Sequence, residues 1–132
     1  MTTLDVAPAD ASLQVWTVVC RLSELAPERG AAALLADGEQ VALFRLVDDR
    51  VFAVQQHDPF SDAYVISRGI VGSRRVEGAD VPTIASPMYK QVFALETGSC
   101  LDVAGKTPAR DLAPDLRTWR VRVRDGLVEV AP

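Results

Sequence analysis

Short runs of β-forming residues separated by turn signals recur along this chain, and they constrain its fold more than any other feature. The chain contains no asparagine, so its tight hairpin turns must use the pairs Asp37-Gly38 and Asp125-Gly126, with Thr97-Gly98 suited to another turn. Such spacing predicts an all-β sandwich or barrel. The predicted strands cover residues 14–20, 31–35, 40–47, 51–55, 70–76, 83–85, 92–95, 119–124 and 127–130.

Helix signals are sparse. Ser23-Glu24-Leu25 could begin a single turn, and two prolines within residues 107–116 limit any helix there to a short piece. Residues 1–13 show no hydrophobic period and are predicted to form a flexible arm. The 132 residues fit one domain, which we place at 14–132.

The run WRVRVR at residues 119–124 alternates apolar and cationic side chains. Because successive side chains of a strand point to opposite faces, this strand should have one apolar face and one cationic face. We interpret it as a solvated edge strand, on which charged side chains discourage aggregation, with a docking surface as the alternative.

Charge and hydropathy limit the partners and the location. With 18 acidic and 14 basic residues the net charge is −4, which gives no indication of nucleic-acid binding. No apolar stretch approaches the roughly 18 residues of a membrane helix and the first residues lack a secretory signal, so we expect a cytoplasmic protein. Cys20 and Cys100 are far apart in sequence and should remain thiols that serve as small buried hydrophobes.

Catalytic constellations are hard to find. His57 is the single histidine of the chain, and neither a P-loop, a nucleophile elbow, an HExxH motif nor a GxGxxG motif accompanies it. No fingerprint for FAD or NAD is visible either. We therefore expect no independent active site, while an enzyme that pairs His57 with Cys100 stays open as an alternative.

Two segments carry a specific resemblance: VQQHDPF at residues 54–60 and SPMYKQVFALETG at residues 86–98. They resemble the two cluster-binding loops of Rieske ferredoxins, C-x-H and C-P-x-H. On that pattern Gln55 and Ser86 stand at the cysteine positions, and His57 and Tyr89 stand at the histidine positions. One of four ligands survives, and since a Rieske centre needs two thiolates and two imidazoles, we expect no cluster or metal in this chain. Cys100 should lie on the strand after the second loop.

With SRGIVG at 67–72 and TGSCL at 97–101, these segments are similar to the small subunits of assimilatory NAD(P)H-dependent nitrite reductases. The likeness spans about residues 16–130. It implies a Rieske-like antiparallel β-sandwich with a small loop-bearing subdomain that lacks the cluster ligands. It also implies an accessory role in an enzyme that reduces nitrite to ammonium, with FAD, an iron–sulfur centre and sirohaem in the large subunit.

The two loops would then present a docking surface for the large subunit. Its candidate residues are His57, Phe60, Pro87, Met88, Tyr89 and Lys90. The simpler alternative is that these side chains only pack the loops together. A different class of function also stays open, namely a free-standing Rieske-type electron carrier, or a metal- or small-ligand-binding module centred on His57.

Overall fold

The computed structural model describes residues 15–132, and the prediction for residues 1–13 lies outside that range. The described part forms twelve strands and three single 3₁₀ turns, which confirms the all-β prediction. The strands are β1 Thr17–Arg21, β2 Arg29–Leu34, β3 Gln40–Arg45, β4 Val51–Gln55, β5 His57–Asp58, β6 Ala63–Tyr64, β7 Ile70–Val76, β8 Ala79–Ala85, β9 Val92–Ala94, β10 Cys100–Asp102, β11 Thr118–Arg124 and β12 Leu127–Ala131. The 3₁₀ turns are Leu22–Glu24, Ile66–Arg68 and Ala109–Asp111.

Three antiparallel sheets contain these strands. The large sheet has the order β1-β12-β11-β4-β3-β2, the second has the order β10-β9-β8-β7, and β5 pairs only with β6. The second sheet and the β5–β6 hairpin carry the two loops of interest. They therefore correspond to the predicted small subdomain on a larger β-structure.

Strand β3 of the large sheet is buried on both faces. In β3, Ala42 and Phe44 belong to one core cluster, whereas Val41 and Leu43 alternate into another. The first cluster also includes Ile84 of β8, so it lies between the two larger sheets. Burying a ring such as that of Phe44, which is fully enclosed, stabilises the fold by roughly 2–3 kcal/mol.

The second cluster is built from several strands of the large sheet itself. Trp119, Val128 and Val130 join Val41 and Leu43 there. Together with Ala53 of β4, these residues come from four strands and lie on one face of the sheet. The other face packs against the second sheet.

The alternating strand β11 is not an edge strand, which corrects our interpretation. It lies between β12 and β4, and the edges of the large sheet are β1 and β2. Arg120 and Arg122 cover the indole ring of Trp16, with guanidinium carbons 5.4 and 4.3 Å from its centre. Arg122 also forms an ion pair with Glu129 of β12 at 2.7 Å. Part of the cationic face is thus engaged within the fold.

No helix within residues 15–132 is long and apolar enough to cross a membrane.

Candidate functional site

Two loops face each other beside the second sheet. Loop 1, residues 56–69, connects β4 to β7 and contains the β5–β6 hairpin. Loop 2, residues 86–91, connects β8 to β9 and is closed by the Ser86 amide, which donates to the Gln91 carbonyl at 2.9 Å. Lys90 adopts a positive φ of 70° in this loop, a conformation unusual for a residue with a side chain. Loop 2 is therefore a tight turn whose shape needs support.

The support comes from Asp58 of loop 1. Its side chain is fully buried, and one carboxylate oxygen accepts hydrogen bonds from the hydroxyls of Ser86 at 2.6 Å and Ser61 at 2.9 Å. The other oxygen accepts from the Phe60 amide at 2.8 Å. A buried carboxylate needs such donors because burial removes its water. The contact with Ser86 joins the two loops.

Ser86 passes this connection on to the backbone of loop 2. Its hydroxyl oxygen accepts from the Met88 amide at 3.2 Å, so its own proton is directed to Asp58. The side chain of Ser86 is itself buried. We call the chain of bonds from Asp58 through Ser86 to the Met88 amide the Asp58–Ser86 clasp.

His57 belongs to a different network on loop 1. Its Nε2 lies 2.7 Å from an oxygen of Asp62, and its ring contacts that of Tyr64 with centroids 5.1 Å apart. Arg110 donates two hydrogen bonds to the Asp62 carboxylate, at 2.8 and 2.9 Å. The Arg110 guanidinium, followed by His57, holds the pKa of Asp62 well below its usual range. Asp62 thus stays ionised and anchors the half-buried His57.

Gln55 is also turned away from loop 2. Its amide nitrogen donates to the His57 carbonyl at 2.8 Å, and its amide oxygen accepts from the Arg117 amide at 2.7 Å. The first bond joins the end of β4 to loop 1, and the second joins it to the segment that leads into β11. Gln55, His57, Tyr64 and Arg110 line a shallow polar depression, in which Gln55 bonds the backbone while His57 and Arg110 both bond Asp62.

The other predicted docking residues divide by exposure. Phe60 is only 6 % exposed, and its ring lies 6.2 Å from that of Phe93 in the core between the sheets. Phe60 is therefore not available for contact with a partner, and we exclude it from the docking surface. Pro87, Met88, Tyr89 and Lys90 of loop 2 are all exposed.

The two cysteines are half-buried rather than fully buried, which corrects that expectation. Cys100 begins β10, as predicted, and its Sγ donates to the Asp102 carbonyl at 3.6 Å. Burial raises the pKa of both thiols. Since His57 bonds Asp62 and Cys100 bonds Asp102, the structure does not join the pair that a Cys-His enzyme would need.

The converging residues do not fit a Rieske cluster. Two thiolates bind one iron of that centre, so the side chains at the two cysteine positions must meet. The side chains that meet are Asp58 and Ser86, whereas Gln55 points to Arg117. Asp58 and Phe60 also have the two-residue spacing of C-x-H, which is the signal that sequence reasoning missed. In either register the ligand positions of the two loops hold no cysteine to supply a thiolate.

Within residues 15–132, no group of three or more histidine, cysteine or acidic side chains is placed to hold a metal ion.

Comparisons with known proteins agree with this architecture. The family model of the Rieske-like [2Fe-2S] domain matches residues 15–131. The nitrite reductase (NADH) small subunit of Escherichia coli K12 is 36% identical over 116 residues, covering 87% of this chain and 95% of that protein. A crystal structure assigned as an NADH-dependent nitrite reductase small subunit from Mycobacterium tuberculosis is 46% identical. It superimposes with a TM-score of 0.75 over 91% of this chain and 96% of that one.

A third relative has a different arrangement. The nitrite reductase [NAD(P)H] large subunit of Klebsiella oxytoca is 34% identical over 115 residues, which cover 87% of this chain but only 11% of that protein. The same domain therefore also occurs as part of a much longer polypeptide. From the family model and the near-complete coverage of the small subunits, we conclude that this chain belongs to the Rieske-like [2Fe-2S] domain family and, within it, to the nitrite reductase small subunits.

Proposed function

We propose that this chain is the accessory small subunit of a cytoplasmic NAD(P)H-dependent nitrite reductase, which reduces nitrite to ammonium. In this proposal the chain binds a large subunit that carries FAD, an iron–sulfur centre and sirohaem, and it holds no cofactor itself. Its contribution to the reaction is then made through protein contact. No step of electron transfer passes through this chain.

The observation that carries the proposal is the Asp58–Ser86 clasp. In a Rieske domain the cluster ties the two loops together, because each loop supplies one thiolate and one imidazole. Here a carboxylate of loop 1 bonds a hydroxyl of loop 2 at 2.6 Å, inside the fold. The loops are thus joined by the protein's own groups, which supports a role that needs their shape but no iron.

The fused relative supports the choice of partner. In the Klebsiella oxytoca large subunit, the matching 115 residues are covalently attached to the rest of a nitrite reductase chain. A domain that functions as part of one polypeptide in one organism can function as a bound separate subunit in another. Tethering raises the effective concentration, so a separate chain needs a contact surface of its own.

Metal analysis tests the cofactor part of the proposal. The chain is produced in cells supplied with iron and sulfide, beside a Rieske ferredoxin as a positive control, and both are analysed for iron, sulfide and visible absorption. We expect the ferredoxin to be coloured and this chain to be colourless with far less than one iron per chain. Two irons with the spectrum of a Rieske centre would overturn the cofactor-free reading and favour the electron carrier.

Co-purification tests the partner. A tagged chain isolated from its native cytosol should retain a large protein with bound flavin and sirohaem, and the isolated complex should oxidise NADH or NADPH when nitrite is added. The isolated small chain should show no such activity. Repeated recovery of the small chain alone, at concentrations where the large chain is present, would contradict the proposal.

A further inference from the structure

Both lysines of the chain lie at the same place on the surface. The sequence contains only Lys90 and Lys106, and the Lys106 ammonium lies 4.8 Å above the ring of Tyr89, the neighbour of Lys90. Around them Met88, Tyr89 and Val103 are 47 %, 42 % and 45 % exposed. We call these five residues the lysine-flanked patch. It combines apolar area with two cations on a chain whose net charge is −4.

The patch spans two segments that the structure holds together. The Gln91 side chain, fully buried at the end of loop 2, donates to the Val103 carbonyl at 3.3 Å. The Lys106 amide donates to the same carbonyl at 3.0 Å. The turn after β10 is thereby fixed beside loop 2, and the stacking of Lys106 on Tyr89 closes the contact.

We propose that the lysine-flanked patch is the surface that binds the large nitrite reductase chain, and that Asp58 positions it through the Asp58–Ser86 clasp. This inference rests on the proposed function. Charge complementarity specifies the partner site: an apolar depression on the large chain, rimmed by carboxylates, accepts Met88 and Tyr89 while the rim pairs with the two lysines. Methionine and tyrosine both supply large contact area at protein interfaces.

Asp58 acts as a positioning residue because it does not reach the surface. Its carboxylate holds the Ser86 hydroxyl, which accepts from the amide of Met88, the first apolar residue of the patch. Ser61 provides a matched comparison, because it also bonds Asp58 but lies in loop 1 and has no contact with the Met88 amide. A change at Ser86 therefore disturbs the patch, whereas a change at Ser61 disturbs only loop 1.

Amine labelling is an unusually selective test, since apart from the N-terminal amine only Lys90 and Lys106 react. Acetylation of each lysine by an N-hydroxysuccinimide ester is followed by mass spectrometry for the free chain and for the complex with the large chain. We expect both rates to fall about tenfold on complex formation. A complex that forms with both rates unchanged overturns this surface and leaves the proposed function standing, whereas no complex counts against the proposed function itself.

Charge reversal gives a second measure of the same contact. The double change Lys90→Glu and Lys106→Glu should weaken binding of the large chain about tenfold or more, most strongly at low ionic strength. The double change Arg29→Glu and Arg124→Glu is the matched control, because it alters the net charge equally and both arginines are exposed on the large sheet, on β2 and at the β11–β12 turn. Equal losses of affinity in both variants would show a general effect of charge and would contradict the assignment of the lysine-flanked patch as the binding surface.

The positioning role is tested with Ser86→Ala and Ser61→Ala, measured well below the unfolding temperature of each. Ser86→Ala should weaken binding about tenfold and alter the labelling rate of Lys90, whereas Ser61→Ala should leave both near the unmodified values. If the two variants bind equally well, Asp58 and Ser86 serve stability alone and the positioning role is wrong.

Discussion

A double-mutant cycle on Asp58 and Ser86 measures what the clasp contributes to the fold. Asp58→Ala removes an acceptor that three donors use, and it leaves the Phe60 amide buried without its partner. Ser86→Ala removes one donor to Asp58 and the acceptor of the Met88 amide, but Asp58 keeps Ser61 and the Phe60 amide. The two changes therefore share one bond, between Asp58 and Ser86, and differ in the others.

The expected magnitudes follow from the number and kind of bonds lost. A hydrogen bond to a charged group contributes about 1.5–3 kcal/mol and a neutral one about 1 kcal/mol, so Ser86→Ala should cost roughly 2–4 kcal/mol. Asp58→Ala loses three bonds to the carboxylate and leaves a buried amide unpaired, so it should cost roughly 4.5 kcal/mol or more. The double variant should cost about 1.5–3 kcal/mol less than the sum, since the shared bond is counted only once.

Urea unfolding at pH 7, followed by the fluorescence of Trp16 and Trp119, supplies the four free energies of the cycle. In a domain of this size, Ser86→Ala should also lower Tm by roughly 4 °C per kcal/mol lost. A coupling energy below about 0.5 kcal/mol, with unchanged denaturant slopes, would refute the reasoning. The loops would then be held together by their apolar contacts, and the hydrogen bond between Asp58 and Ser86 would contribute little to stability.

Three further predictions concern neighbouring features. The pKa of Asp62 in the folded state is lowered from its ordinary 3.8, so the stability that its charge adds is present above pH 3.8 and is lost as the pH falls further. Arg110→Ala should raise this pKa, which carboxyl NMR titration can measure. The same change should move acid unfolding to higher pH. Gly98→Ala should lower the free energy of unfolding in urea by roughly 3 kcal/mol or more, because Gly98 has a positive φ and an added methyl group would meet a backbone carbonyl. Gly38 also has a positive φ but has open space around it, so Gly38→Ala should lower the free energy of unfolding by only about 1 kcal/mol. If the clasp occupies the place of the cluster, iron analysis should find two irons per chain in the first of two variants and none in the second. The first variant carries Asp58→Cys, Phe60→His, Ser86→Cys and Tyr89→His. The second variant carries Gln55→Cys, Ser86→Cys and Tyr89→His and keeps Asp58, Phe60 and the native His57.

Much of the fold was predictable because local patterns agree with the final pairing. Val51–Gln55 and Ile70–Val76 have the bounds that their β-forming runs predict. The strand Ala79–Ala85 was predicted only from Thr83 onward, since Asp80 and Pro82 resemble a break. Pairing with strands on both sides overrides that local signal. The Glu77-Gly78 turn that precedes this strand, with positive φ at both residues, was not predicted from the sequence.

The position of β11 shows a different limit. Alternation of Arg120 and Arg122 with apolar residues reports two chemically different faces, and the structure confirms that difference. This alternation carries no information about which strands lie beside β11, so the sequence could not distinguish an edge strand from an internal one. Trp16, which accepts both guanidinium groups on its ring, lies more than a hundred residues away in sequence.

The candidate site was predictable only in part. The SPMY segment placed Ser86 and Tyr89 in the second loop, and the structure puts both there. The partner of Ser86 could not be read from sequence, because Asp58 precedes it by 28 residues and the contact depends on how two sheets pack. In the sequence Asp58 is one of eighteen acidic residues, and only the structure shows that its side chain is fully buried.

On our proposal, the geometry of the two loops also links the absence of a cluster to the presence of a docking surface. In a cluster-bearing Rieske domain the direction of each ligand side chain is fixed by the iron that it binds. With Asp58 and Ser86 joining the loops directly, Tyr89 lies 42 % exposed beneath Lys106. On our proposal the side chain at a former ligand position thereby becomes the centre of the surface that binds the large subunit. The clasp is the condition for that role, because an exposed aromatic ring on a loose loop would lose much of its binding energy to the entropy of being ordered.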